Sequence, residues 1–527
     1  MAGRWAWSRL AVQNYSHQRA GLRSAHRSVL LKFSWGGGAR RTFQTSSQAQ
    51  SGGPGPKLTP LDVSAILRQN EFTLAGTESD PNVKGGQVNV HATLSGAIKA
   101  YDMNTLNSNS PTEDAHTEAL QVFGKKAGAL FGIFDGHGGA ACGQVVAKRL
   151  FNYVAAILLS PDELLQHLEA RKSGDTEHEH YHVVNPFHEV FELVADLQRF
   201  YESSYIRYLE ELAQEAEINS EDYLNRSMED RLKQAFRSLD DAMSEEAIQC
   251  RNKVSKEGHE IRMKTLSVAL SGAVATLAHI QDADLHVASC GDVTAVLGSL
   301  SENETWVAKK LTVEHNADNP DEVARIASEH PGEPIRDIMR GDRLLGILAP
   351  VRAMGDFKFK WPSETIEACL AGMGLEHQGP PQHYKSPPYL TCEPDVIHHR
   401  LTPKDKFLVI GSDGLWDMMT PMQVIRLVGE HMSGKVTLSP LQFTQPTLSL
   451  GEIKEVLVHR QAAMKLKPMD SNAATHLIRN ALGGSAYGVD HDRLVQMLTL
   501  PKDMVRMFRD DITVTVIFFD TEYLRHC

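Results

Sequence analysis

The sequence predicts an α+β protein with strands and helices segregated along the chain. Two observations predict it. Short apolar runs of strand length recur from Phe131 to Phe519, and acids stand at their ends or starts. After the first of these runs comes an acidic stretch, residues 160–262, whose apolar side chains repeat at helical spacing.

The opening run ends as FGIFDGHGG, Phe131 to Gly139. Apolar residues before Asp135 predict a buried strand, and the glycines after it predict a sharp turn. A helix is expected over 144–159. Upstream, Thr59 before Pro60 predicts the start of a short helix over 58–70, and 71–109 reads as strand and loop. Glu113-Asp114 precedes the opening strand, a surface pair unless it faces Asp135. In the helical stretch, Leu193, Leu197, Phe200, Tyr205, Tyr208 and Leu212 form one face, and Leu232, Phe236, Leu239 and Met243 another. HEHYH, His178 to His182, imitates a metal site but lies in a polar loop and reads as solvated.

Residues 265–280 read as parts of two strands joined near Ser271-Gly272. Strands follow at 285–288 and 294–297, and Ser289-Cys290-Gly291-Asp292 reads as a hairpin turn between them. Asn319 caps a helix expected over 320–329. VRAMGD, 351–356, is another turn ending in an acid, and 361–392 reads as a surface flap. Phe407 to Ile410 is a strand leading into Gly411-Ser412-Asp413-Gly414. Arg509-Asp510-Asp511 leads into a strand over 512–519.

Composition narrows the function. Residues 1–56 hold eight Lys or Arg and no acid, which leaves 46 basic against 66 acidic residues beyond them. The acidic body argues against general nucleic-acid binding. No run reaches eighteen apolar residues, so no membrane span is expected. The six cysteines are scattered without a CxxC pair, which suits a reducing compartment better than a disulfide scaffold and argues against a zinc ribbon. The Arg-rich, acid-free N-terminus has the profile of a mitochondrial transit peptide over 1–43, followed by a flexible linker over 44–56.

Asp135, Asp292, Asp413 and Asp510 each stand at a strand end or start. If those ends share one rim, the carboxylates require cations, and oxygen-only ligands select Mg2+ or Mn2+. Two such ions would activate a water and neutralise a phosphate. Four unrelated turn aspartates would give the same spacing, so the residues alone leave both readings open.

FGIFDGHGG, SGAVAT, SCGD, EHNADNPDEVARI, VRAMGDFKFKW, GSDGLWD and RDDIT, in this order, resemble the motif set of the metal-dependent protein phosphatases of type 2C. PPYLTCEPDVIHHRLTPKDKFLV, RLLGILAPVRAMGDFKFKW and DSNAATHLIRNALG are similar to the mitochondrial pyruvate dehydrogenase phosphatase branch. The resemblance implies a central β-sandwich of two antiparallel sheets flanked by helices, as a catalytic domain over 57–525 with a helical insert around 160–262. It implies a phosphoserine phosphatase with two Mg2+ or Mn2+ ions. Asp135 would bridge them, the Gly136 carbonyl would ligate one, and Asp413 and Asp510 the other. Asp292 would hold a weaker third ion. Glu113 and Asp114 would hold water, and His137 would be a general acid, a role favoured over that of a turn histidine bonded to backbone. The branch implies a mitochondrial-matrix enzyme acting on phosphorylated pyruvate dehydrogenase E1 α. It would dock on the lipoyl-bearing E2 core, aided by Ca2+, with a regulatory subunit. Two departures stand out. The family's phosphate-binding arginine, four residues before the acidic pair, is Asn109 here, and its GDSR is Gly291-Asp292-Val293-Thr294.

Overall fold

The computed structural model describes residues 58–75, 94, 96–122, 128–174, 192–251, 255–438, 449–485 and 487–527. The N-terminal stretch read as a transit peptide, the linker and the HEHYH segment lie outside them. Lys57–Cys527 forms one compact unit.

Among the described residues the first element is α1 (Pro60–Leu67), whose N-cap Thr59 closes a capping box with Asp62. Then come β1 (Phe72–Ala75), β2 (Ile98–Leu106), β3 (Asp114–Ala119) and β4 (Ala129–His137). Helix α2 (Ala141–Ile157) leads into a helical run: α3 (Pro161–Ser173), α4 (Gln198–Ile218), α5 (Met228–Cys250) and α6 (Lys256–Leu270). Strands return as β5 (Gly272–Gln281), β6 (Asp284–Cys290), β7 (Thr294–Leu300) and β8 (Trp306–Lys310), followed by α7 (Pro320–Glu329). The last labelled elements are β9 (Asp395–Arg400), β10 (Asp405–Gly411), α8 (Pro421–Ser433), α9 (Ala473–Gly483) and β11 (Ile512–Phe519).

Beside two short two-stranded sheets, these strands form two large antiparallel sheets among the described residues. One has the order β1-β2-β11-β10-β7-β8. The other has the order β9-β6-β5-β4-β3, with Met354–Gly355 paired to the start of β5. Tyr101, Met103, Phe131, Ile133, Val287, Leu297, Leu408 and Ile517 from both sheets share one buried cluster. On the far side of the second sheet, Phe134 joins Phe151 of α2 and Phe236 of α5. On the far side of the first, Val409 and Val514 join Ile425 of α8 and Leu477 of α9. The layers are therefore helix, sheet, sheet, helix. Strands apolar on both faces are what such double covering requires.

Three sequence expectations change here. Residues 256–270 are helix, with Ser255 as the cap, so only Gly272 onward is strand. Its Thr, Ser and Val content resembles a strand, but Leu266, Val268 and Ala269 bury on a helical face. The Cys290–Asp292 turn is no hairpin: β6 and β7 belong to different sheets, and the turn carries the chain across the sandwich. The segment read as a flap holds a helix, Ser363–Leu370, that buries Ile366, Cys369 and Leu370.

Buried ion pairs fasten the helical run to the sandwich. Arg149 of α2 makes a bidentate pair with Glu246 of α5, at 2.7 and 2.9 Å. Asp240 of α5 takes Lys360 Nζ at 2.8 Å and the Gly355 backbone N–H at 2.7 Å. Breaking such a buried pair from one side typically costs about 3–5 kcal/mol.

Candidate active site

Side chains alternate along β4, so Asp135 shares a face with Phe131 and Ile133 and points between the sheets at their end. In register, Asp135 stands opposite Asp114 of β3. The strand runs two residues past the acid, to His137, because Gly136 donates its N–H to the Glu113 carbonyl at 3.1 Å. A Cβ at position 136 would lie 2.5 Å from that carbonyl oxygen, so glycine is required there. Glu113 is fixed as well: its Oε1 accepts the Gly139 N–H at 2.7 Å, and its Oε2 pairs with Arg506 Nη1 at 3.0 Å.

The first sheet supplies the facing acids. Ser412 donates its N–H to the Thr513 carbonyl, and Thr513 donates its own to Ser412 Oγ, both at 3.0 Å. This joins the end of β10 to the start of β11 and sets Asp413 beside Asp510 and Asp511. Asp511 is buried and gathers the loop before β3. It accepts the N–H groups of Ser108, Asn109 and Glu113, the Thr112 hydroxyl and the Asn109 amide. Burial alone would raise its carboxyl, but these donors hold it low. The Asn109 amide also reaches Asp510 Oδ1 at 3.3 Å, so the residue standing where the family has arginine bridges two acids.

The structure brings the expected acids into one field. The Asp135 carboxyl is pushed well up by burial and by Asp114, Asp413, Asp292 and Asp510. Asp114 is raised by burial and by Asp511 and Asp510, against hydroxyls of Thr513 and Ser412. Asp413 is raised by burial and by Asp292, Asp417, Asp510 and Asp114. Burial likewise raises Asp292, opposed by His137. As they stand, no three His, Cys, Asp or Glu side chains among the described residues form a closed metal-holding group. Like charges keep apart without a counter-ion. The donor set nevertheless fits a hard divalent cation. Its donors are all oxygen, Asp114 Oδ2 is buried with no hydrogen-bond partner, and no lysine or arginine among the described residues forms an ion pair with Asp114, Asp135, Asp292, Asp413 or Asp510.

His137 Nε2 lies 2.5 Å from Asp356 Oδ2. Burial opposes protonation, but the charge and hydrogen bond of Asp356 outweigh it, so the imidazole titrates higher than usual. Asp356 sits at φ 51°, its N–H held by the Ser271 carbonyl at 2.9 Å.

A family model, protein phosphatase 2C, matches residues 193–453, a stretch that includes Asp292 and Asp413. The chain is 38% identical over 476 residues to the mitochondrial pyruvate dehydrogenase (acetyl-transferring) phosphatase 1 of Bos taurus, covering 88% of this chain and 83% of the relative. It is 38% identical over 474 residues to the human phosphatase 2 of the same name, covering 88% and 84%. The yeast Saccharomyces cerevisiae phosphatase 1 is 28% identical, covering 90% and 78%. The chain belongs to the protein phosphatase 2C family. Protein phosphatases 2C are metal-dependent protein serine/threonine phosphatases, and the α+β sandwich described above is the fold expected for one.

In this phosphatase 2C, four further residues stand beside the expected acids: Asp356, read from the sequence only as a turn acid, and Asp417, Asp511 and Arg506, which sequence reasoning did not single out. Asp417 donates its N–H to the Asp413 carbonyl at 2.8 Å, one helical turn on. VRAMGD carries the Gly-Asp pairing seen at other strand ends, which was the available signal for Asp356. Asp511 was hidden beside Asp510, and Arg506 had no motif.

Proposed function

We propose that this chain is a mitochondrial-matrix phosphatase that hydrolyses phosphoserine on the E1 α subunit of pyruvate dehydrogenase and thereby reactivates the complex. The observation that carries the chemistry is the convergence of Asp114, Asp135, Asp292, Asp413 and Asp510 from both sheets. Two Mg2+ or Mn2+ ions would be held by Asp135, the Gly136 carbonyl, Asp413 and Asp510, with Asp292 toward a weaker third. When bound, the ions lower the pKa of water and neutralise phosphate charge.

The residues of the chain do the rest. Glu113 and Asp114 orient water at the rim of the site. The water oxygen forms its bond to phosphorus as the bond to the serine oxygen breaks. His137, held by Asp356, gives its proton to that departing oxygen and recovers one from solvent. The products are serine and inorganic phosphate. The substrate assignment is supported by the names of the relatives, and the N-terminal profile supports matrix import. Docking to the lipoyl-bearing E2 core, and a regulatory subunit, belong to the same proposal.

The test is phosphate release from phosphorylated pyruvate dehydrogenase with Mn2+ or Mg2+, against phosphorylated branched-chain dehydrogenase. The expected result is faster release from the first, abolished by Asp135→Ala and Asp413→Ala. Faster release from the second would overturn the substrate, and release independent of metal would overturn the chemistry.

A further inference from the structure

We infer that Arg506 binds the substrate's phosphate, doing from the far end of the chain what the family's arginine does from position 109. The inference rests on the phosphoserine-phosphatase reading and adds the group that reading lacks.

Asn109 cannot serve. Its side chain is neutral, and its amide is bonded to Asp510 and Asp511. Arg509 is buried and held by both terminal nitrogens. Its Nη1 bonds Ser108 Oγ at 2.5 Å and its Nη2 the Asn107 carbonyl at 3.0 Å, so it braces the loop that Asp511 gathers. Arg506 is placed differently. Its side chain is 55% exposed, and it makes one ion pair, Nη1 to Glu113 Oε2 at 3.0 Å.

That one contact places the charge. Glu113 is tied to the Asp135 turn twice, through its carbonyl to Gly136 and through Oε1 to Gly139. A guanidinium fixed to Glu113 therefore stands at the rim of the acid field without cancelling an inner carboxylate. Among the described residues, no lysine or arginine makes an ion pair with Asp114, Asp135, Asp292, Asp413 or Asp510. A guanidinium presents five donors in a plane, and its 3.0 Å charge pairing with Glu113 leaves donors for phosphate oxygens. Its backbone is anchored to the site as well. Arg506 lies in a single turn, Val505–Met507, closed by the Arg509 N–H on the Val505 carbonyl at 3.0 Å, immediately before Asp510. Met507 and Phe508 beside it are exposed, leaving apolar surface for the residues flanking a phosphoserine.

The test uses the full-length protein at saturating Mn2+, with wild type, Arg506→Ala and Arg506→Lys compared on a phosphoserine protein substrate. Loss of a charged hydrogen-bond donor should raise KM by roughly 10- to 100-fold. Inhibition by inorganic phosphate should weaken by a similar factor, lysine should recover part of each, and the Mn2+ activation curve should not move. Calorimetric binding of inorganic phosphate to the Mn2+-loaded proteins reads the same contact without turnover. Unchanged KM and unchanged phosphate binding would overturn the inference. So would a change confined to the Mn2+ curve, since Arg506 would then only brace Glu113. A wild type that binds phosphate through Arg506 but releases none from any phosphoprotein would sink the phosphatase reading and leave this one standing.

Discussion

The His137–Asp356 pair can be tested without touching either residue. A Cβ at Gly272 would lie 2.1 Å from Asp356 Oδ2 and 2.3 Å from His137 Nε2. Carbon needs about 3.5 Å from such atoms, so Gly272→Ala must move one or both by at least about 1 Å. The 2.5 Å bond between them cannot survive that shift. Overpacking of this kind costs about 1–3 kcal/mol of stability, which a chain of this size tolerates. The catalytic loss should be larger: a misplacement of about 1 Å costs roughly 100-fold. If His137 delivers the proton to the serine oxygen, kcat on phosphoserine should fall roughly 100-fold or more. On p-nitrophenyl phosphate, whose phenolate leaves without help, it should fall only a few-fold. The assay is kcat on both substrates at saturating Mn2+, with thermal unfolding to show that the variant is folded. An equal loss on both substrates, or no loss on either, would refute the role of His137 as proton donor.

Asp413 is pushed up to about 8 by burial and by the neighbouring acids, so its ionised form opposes folding; Asp413→Asn removes that opposition, and the metal-free protein should gain at least about 1 kcal/mol in thermal unfolding at neutral pH. The same variant should lose the Mn2+-induced rise in melting temperature shown by wild type, together with turnover. Asp240→Ala leaves the Lys360 ammonium buried and frees the Gly355 N–H; chemical denaturation should report a loss of about 3–5 kcal/mol and kcat should drop, with Asp240→Asn milder in both. His476 is pushed down to about 4 by burial, aided by His431, Arg479 and Arg426 and opposed by Asp470, and Glu430 Oε1 lies 3.6 Å from its Nε2. Its neutral form is favoured by folding, so that stability is complete above about pH 6.5 and is lost as pH falls toward 4, by about 3 kcal/mol. In denaturation at successive pH values, His476→Leu should flatten that slope; an unchanged slope would exclude His476 as its source.

What the sequence disclosed was local. Strand β11 begins and ends where its apolar run does, and α7 starts at the predicted cap, Asn319, whose side chain accepts the Asp321 N–H at 3.0 Å. Caps and runs of this kind depend on residues a few positions apart. The acids that the fold brings into one field could also be picked out, because each stands beside its own strand end. What depends on distant partners was not legible. The Cys290–Asp292 turn looks like a hairpin until its strands are assigned to different sheets. His137 and Asp356 are 219 residues apart, and Arg506 means nothing until Glu113 is beside it.

Strand β11 has a further consequence for how the protein is made. It lies between β2 and β10, in the interior of its sheet. During synthesis from the N-terminus, β2 and β10 are complete long before the strand that separates them. Until then each offers an open edge, the kind of surface on which nascent chains aggregate. A chain cut after Asp511 would retain all the acids of the site, yet no strand would anchor Asp511 or the loop it gathers. Such a product should behave as an obligate chaperone client with no turnover. Premature stop codons near the 3′ end of the message should therefore be as damaging as those near its start.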